Sequence, residues 1–346
     1  MVKSPMKKNH LNILEFCLSP NLGGLELCVL DNFIDDKDKF TIKRNKFFPI
    51  IPAVKLAKFI DKNSIDIVHF HWTRDIATVV LAKVLSKRKP KIIQSRHMTM
   101  TRFKDDFYHK WLYKNITTIH AVTNQVKEQL IKYIPRNIRP NIEMVYLGVD
   151  EPIVDDKKVL KLKEKYKLKD EFIVGIIGRI EEGKGQYLVI EAMAKLKNLN
   201  IMALIVGDTM DDSYMVELKN KVKDLGIEDK IIFTGFTRDV NEHMKLCDTT
   251  VLATPKETFG LVVIESMINK VPVIVTANGG PLEIIDDNKD GLLFNRTSDD
   301  LVKKIELIYK DNEFKNELST NGYKKVKEIF NKDIQMDKMY EVICEG

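Results

Sequence analysis

Cysteine is scarce in this chain: Cys17, Cys28, Cys247 and Cys344 are all there is among 346 residues, widely separated and without a Cys-x-x-Cys pair. A disulfide framework is therefore not what organises the fold, and reduced thiols in a cytosolic protein are the simplest account. Long apolar runs are missing too, and no stretch approaches the length of a membrane-spanning helix. Leu11 to Leu18 is apolar and follows Lys3, Lys7 and Lys8, as a signal peptide would. Glu15 interrupts it and no small-residue cleavage site follows, so it reads as a first strand. The glycine-rich turn ending at Gly185 is not a Walker loop, because its spacing is wrong and no Ser or Thr follows Lys184. Nor is it a Gly-x-Gly-x-x-Gly turn. The lone Asp-x-Asp, Asp36-Lys37-Asp38, lies in a charged loop away from any strand end.

What is present bounds the class. The length exceeds a single ordinary core, so two domains are expected. The hydrophobic fraction of 44% and charged fraction of 31% are those of a soluble globular protein. Charge is unevenly shared: residues 1–150 carry 26 Lys+Arg against 14 Asp+Glu, while 151–346 carry 30 against 36. The first half is thus drawn to a polyanion, whether an anionic membrane, a phosphorylated lipid or a nucleic acid, or else presents a solvated basic face.

Along the chain, short apolar strands alternate with helical periodicity. Strands are expected at 11–18, 66–71, 91–97, 117–122 and 142–147, then at 172–177, 201–206, 231–236, 249–252 and 272–276. Thr123 is placed to cap the helix running to Tyr133. Phe107, Trp111 and Leu112 share one face of a helix in which aromatic and basic residues interleave, a pattern of interfacial segments and, more commonly, of core packing. Residues 151–170 read as a linker plus a helix.

The stretch Ala253-Thr-Pro-Lys-Glu-Thr-Phe-Gly-Leu-Val-Val-Ile-Glu265 leaves the strand at 249–252 and enters a helix read from Phe259 to Met267. Free N–H groups and the helix dipole at such a start attract phosphate. Gly260 allows close approach of a ligand to the backbone. Glu257 and Glu265 bracket the loop. After the strand at 172–177 comes Gly178-Arg179-Ile-Glu-Glu-Gly-Lys184-Gly185, which places two cations at a strand's carboxyl end. In doubly wound sheets, ligands bind there. His97 ends the strand at 91–97, with Arg96, Arg102 and Lys104 adding positive charge at the same rim. His69-x-His71 has metal-ligand residue types, but alternation along the strand and the lack of a third ligand argue against a metal site there. Gly23-Gly24-Leu25-Glu26 is another glycine-rich strand-to-helix turn.

These motifs, in this order, resemble the retaining glycosyltransferases of the GT-B fold, in particular glycosyltransferase family four. The resemblance rests on Gly23-Gly24-x-Glu26, the Asp66-Ile-Val-His-x-His71 strand, His97, Gly178-Arg179…Lys184-Gly185, Glu257-x7-Glu265 and Asn278-Gly-Gly-Pro-Leu-Glu283. It is densest over 172–294. It implies an α/β chain of two Rossmann-like βαβ domains facing a cleft: 1–150 for the acceptor, 151–330 for the nucleotide sugar, and 331–346 as a helix crossing back to the first. It implies transfer of a hexose or N-acetylhexosamine from a UDP- or GDP-linked sugar to a saccharide or lipid-linked acceptor, in bacterial surface polysaccharide or lipopolysaccharide assembly. Arg179 and Lys184 would clamp the diphosphate, with Gly23, Gly24, Gly178, Phe259, Gly260 and Leu261 lining it. Glu265 would accept from the ribose, Glu257 would position the donor sugar, and His97 would touch the sugar's hydroxyls. No cofactor or metal is implied. The expected location is cytoplasmic, on the inner face of an anionic membrane, with no nucleic-acid partner. Alternatives are a nucleotide-sugar epimerase of the same fold and a non-enzymatic basic protein binding membrane or nucleic acid.

Overall fold

The computed structural model describes residues 11–16, 49–209 and 211–345. Gly23, Gly24, Glu26 and the Asp36-x-Asp38 pair lie outside the described residues. The chain divides into two compact units, 1–146 with 335–346, and 147–334.

Among the described residues of the first unit, five parallel strands lie side by side in sequence order: β1 Ile13–Phe16, β2 Ile67–Phe70, β3 Lys91–Arg96, β4 Thr118–Ala121 and β5 Asn141–Met144. Parallel pairing requires crossovers, supplied where described by the helices Ile76–Leu85, Phe107–Lys114 and Asn124–Tyr133. Strands β2 and β4 are buried along their whole length, as expected of a sheet covered on both faces. Thr123 caps the Asn124–Tyr133 helix, its hydroxyl accepting from Val126 N at 3.2 Å. The last helix, Lys332–Glu345, belongs to this unit from Gln335 onward. Its Met339 and Ile343 pack on Ile67, Ile93 and Val145 of the sheet.

Phe107 does not share a buried face with Leu112: it is 89% exposed, while Leu112 and Tyr113 are buried. Arg96 is not a rim cation. Its guanidinium is buried and donates to Met98 O, Thr73 Oγ1 and Thr99 O at 2.8, 2.8 and 3.0 Å, so it braces the loop after β3.

The second unit carries six parallel strands: β6 Phe172–Ile177, β7 Ile201–Val206, β8 Ile231–Gly235, β9 Thr249–Leu252, β10 Val273–Thr276 and β11 Leu292–Phe294. Their order is β11-β10-β9-β6-β7-β8. The chain runs outward from β6 to β8, returns, and runs outward the other way from β9. The reversal falls between β6 and β9, which pair directly. At such a switch point the two flanking loops diverge and leave a crevice above the strands' carboxyl ends. The helices Gln186–Lys195 and Ser298–Lys310 pack on one face through Leu188, Val189, Leu301 and Ile305.

Candidate active site

Two loops rise from the switch point. The loop after β6 turns through Gly178 at φ 140°, a short 3-10 turn at Glu182–Lys184, and Gly185 at φ 77°. Both glycines hold backbone that other residues rarely adopt. A Cβ at Gly185 would lie 2.8 Å from the Ala253 carbonyl, so this loop packs tightly on the chain leaving β9. Gln186 fastens it, its Nε2 donating to Arg179 O at 2.9 Å.

The loop after β9 carries Glu257 and ends at Gly260, with φ 99° and ψ 56°. The helix begins at Leu261, two residues later than the sequence pattern indicated, and runs to Ile268. No side chain caps it. Phe259 is buried, edge-on to Phe330 with centroids 6.0 Å apart, so its ring belongs to the packing beneath the loop. The turn at Gly279-Gly280 supports the loop from behind. Gly280 N donates to Glu257 O at 2.9 Å, and a Cβ at Gly279 would meet that oxygen at 2.3 Å.

These contacts bring Lys184 Nζ to 3.2 Å from Glu257 Oε2, with both side chains partly buried. Arg179 stands on the same loop but is exposed, 3.7 Å from Glu181. Glu265 lies in the second turn of the helix, half-buried. Its carboxylate has no hydrogen-bond partner among the described residues, and burial pushes its pKa up to about 7. The arrangement therefore offers two cations, a set of uncapped N–H groups and an unpartnered carboxyl at one end of one sheet.

The first unit holds a second polar cluster that the sequence only half disclosed. His97 follows β3 and is half-buried. Its Nε2 lies 3.3 Å from His71 Nδ1. His71 Nε2 lies 3.1 Å from Glu15 Oε2, and Glu15 Oε1 lies 2.9 Å from His69 Nδ1. Beyond these, His69 Nε2 is 2.8 Å from Ser95 Oγ, Ser95 Oγ is 2.7 Å from His120 Nδ1, and His120 Nε2 is 2.7 Å from Val145 O. Alternation does not part His69 from His71, because residues two apart share a face of a strand. Glu15 on the neighbouring strand supplies the third group that local sequence could not show. The ligand-type atoms of Glu15, His69 and His71 lie within 4.8 Å of one another, a spacing a metal ion could use. Each of those atoms is already hydrogen-bonded within the cluster, so the geometry is complete without an ion. Burial opposes ionisation of Glu15, yet the charges and hydrogen bonds of His69 and His71 outweigh it and hold its pKa at about 2. Loss of solvation pulls His71 down to about 4 and His120 to about 3.

Residues 128–325 match the family model for glycosyl transferases group 1, and residues 25–151 match that for glycosyltransferase family 4. The chain is 29% identical over 299 residues to the N-acetyl-alpha-D-glucosaminyl L-malate synthase of Bacillus anthracis, covering 84% of this chain and 77% of that one. It is 26% identical over 173 residues to the lipopolysaccharide core biosynthesis glycosyltransferase LpsE of Rhizobium meliloti, spanning 50% and 49% of the two chains. The crystal structure of Anabaena HepE in complex with UDP and glucose matches with a TM-score of 0.83 at 19% identity, covering 97% of this chain and all of that one. At that identity the likeness is one of fold. The first family model spans more than half of the residues and both sheets are Rossmann-like: the chain belongs to the glycosyl transferases group 1 family and is a glycosyltransferase of the GT-B type.

Proposed function

We propose that this chain is a retaining transferase that moves a hexose or N-acetylhexosamine from a nucleoside-diphosphate sugar to a saccharide or lipid-linked acceptor, in assembly of bacterial surface polysaccharide or lipopolysaccharide. The observation that carries this is the Lys184–Glu257 contact at the β6/β9 switch point, beside an uncapped helix start at Gly260. A leaving nucleoside diphosphate gains negative charge as the glycosidic bond breaks. Lys184, Arg179 and the N–H groups after Gly260 are donors held in place before that charge appears. Lys184 acts as a point charge, and Arg179 brings a planar fork suited to phosphate oxygens. Glu265 accepts from the ribose diol. Glu257, already anchored to Lys184, orients the donor sugar through an oxocarbenium-like state. His97 serves a sugar hydroxyl.

The UDP seen with HepE supports a uridine donor. By its name LpsE acts in lipopolysaccharide core biosynthesis, which supports the surface-polysaccharide reading, while the Bacillus anthracis relative is named for an N-acetylglucosaminyl L-malate product and supports only an N-acetylhexosamine donor. We place the chain in peripheral contact with an anionic membrane at its cytoplasmic face, a reading supported by the basic first half and by exposed Phe103, Phe107 and Tyr108 beside Arg102, Lys104 and Lys110. No described helix is long and apolar enough to cross a membrane.

The test is a thermal-shift series with UDP, GDP and ADP, followed by incubation of the best donor with and without a saccharide acceptor. Stabilisation by one nucleotide and acceptor-dependent release of it support the reading. Conversion of the nucleotide sugar without an acceptor would indicate an epimerase instead.

A further inference from the structure

The polar cluster in the first unit has a fixed end, and the protons can be counted from it. The Val145 carbonyl can only accept, so His120 Nε2 carries a proton and donates to it. His120 is neutral at pH 7, so its Nδ1 is a lone pair and accepts from the Ser95 hydroxyl. That hydroxyl has one proton, now used, so Ser95 Oγ must accept from His69 Nε2–H. Glu15 is ionised and can only accept, so His69 Nδ1 also carries a proton. The same carboxylate accepts from His71 Nε2–H. His71 is neutral, which leaves its Nδ1 a lone pair that accepts from His97 Nε2–H. The opposite proton on His71 would turn a lone pair toward a carboxylate at 3.1 Å, which is repulsive.

We propose that Glu15 is a positioning residue for His97: acting through His71, it locks His97 as the Nε2–H tautomer and leaves the Nδ1 lone pair as the acceptor for a sugar hydroxyl. Which nitrogen of a histidine is protonated is set by the bond the other one makes. Here the choice is relayed over three side chains from an acceptor-only anion, under a sheet face closed by Met339 and Ile343. Loss of solvation, with the positive charge of Arg96 adding to it, keeps His97 well below its ordinary pKa and so neutral. Arg96 braces Met98 and Thr99, so the ring has a fixed backbone as well as a fixed proton. The proposal deepens the reading of His97 as a sugar contact and rests on it for its purpose, though not for its test.

The test is long-range 1H–15N correlation spectroscopy on the full chain labelled at histidine, at pH 7.5, with His97→Asn used to assign the His97 signals. The wild type is expected to show His97 as the Nε2–H tautomer. In Glu15→Gln the amide can donate to His71 Nε2, His71 can then donate to His97, and His97 is expected to shift to the Nδ1–H form or to a mixture. A wild-type His97 in the Nδ1–H form overturns the proposal even if Glu15→Gln does not fold. So does a folded Glu15→Gln with an unchanged His97 tautomer. Signals of His69 and His71 that move on treatment with EDTA would make the trio a metal site and also end it. In transfer assays Glu15→Gln should lower kcat about tenfold, the worth of one hydrogen bond, with nucleotide affinity unchanged. If the tautomer behaves as expected but no nucleotide sugar is turned over, the function fails and the relay stands.

Discussion

Lys184 and Glu257, 73 residues apart in the chain, meet at 3.2 Å because the loops bearing them leave adjacent parallel strands at the point where the sheet reverses direction. Neither loop alone would place its side chain. Gly185 lets the first pack on Ala253, and Gly279-Gly280 press the second forward from behind.

Removing either partner should therefore affect chemistry far more than folding. A partly exposed ion pair contributes about 1 kcal/mol or less to stability. A preorganised donor aimed at developing charge is worth roughly 10²–10³ in kcat. Lys184→Ala and Glu257→Ala are expected to lower turnover by about that factor while Tm stays within about 3 °C. Turnover near wild type in either variant would remove the site assignment.

The glycine turn predicts the converse. Gly279→Ala places a methyl group 2.3 Å from Glu257 O at a backbone φ of 75°. Relief requires moving the Glu257 loop, at a cost of about 1–3 kcal/mol. Both Tm and nucleotide affinity should fall, because Gly279 bears on the backbone of the loop that carries Glu257. An unchanged affinity measured by calorimetry would count against the support role.

Glu265 predicts a proton. Its carboxyl, pushed up to about 7, is partly protonated near neutrality. Because its folded pKa is raised, the free protein loses stability from this group as pH rises from about 4.5 through 7. Accepting from ribose hydroxyls favours the ionised form, so nucleotide binding should release a fraction of a proton near pH 6.5 and tighten as pH rises through 7. Calorimetry in buffers of different ionisation enthalpy reads this directly. No buffer dependence, or equal release in Glu265→Gln, would refute the ribose role.

The histidine cluster predicts acid lability. His71 and His120 have folded pKa values of about 4 and about 3 against an ordinary 6.5. Each contributes stability that is full above 6.5 and is lost as pH falls toward its folded pKa. Glu15, at about 2 against 4.5, adds a loss below 4.5. His71 alone is worth on the order of 3 kcal/mol at most. Tm should fall steeply between pH 6.5 and 4, and less steeply in His71→Gln. A flat profile over that range would contradict the buried neutral ring.

Exposed aromatic residues predict lipid binding. Phe103→Ala with Phe107→Ala should weaken sedimentation with anionic vesicles several-fold and leave soluble-acceptor turnover unchanged. Equal partition into neutral and anionic vesicles by the wild type would rule out the proposed docking.

Local patterns in the sequence marked most of the elements. Short, mostly apolar runs of three to six residues became the strands of both sheets, and Thr123 became a cap, because these depend on near neighbours in the chain. The residue types of the donor site were legible as well: two cations after one strand, two acids around another, and Gly260 where only glycine sits easily. Tertiary structure decided which of them meet. Strand order cannot be read from a string of similar βα units, so the β6/β9 switch point, and with it the Lys184–Glu257 contact, exists only once the sheet is assembled. The same holds for Glu15, which sequence reading treated as an interruption in an apolar run. It becomes the anchor of His69 and His71 because parallel pairing sets β1 beside β2. Arg96 and Phe107 show the limit from the other side: charge and apolarity give a side chain's preference, while burial is settled by what folds over it.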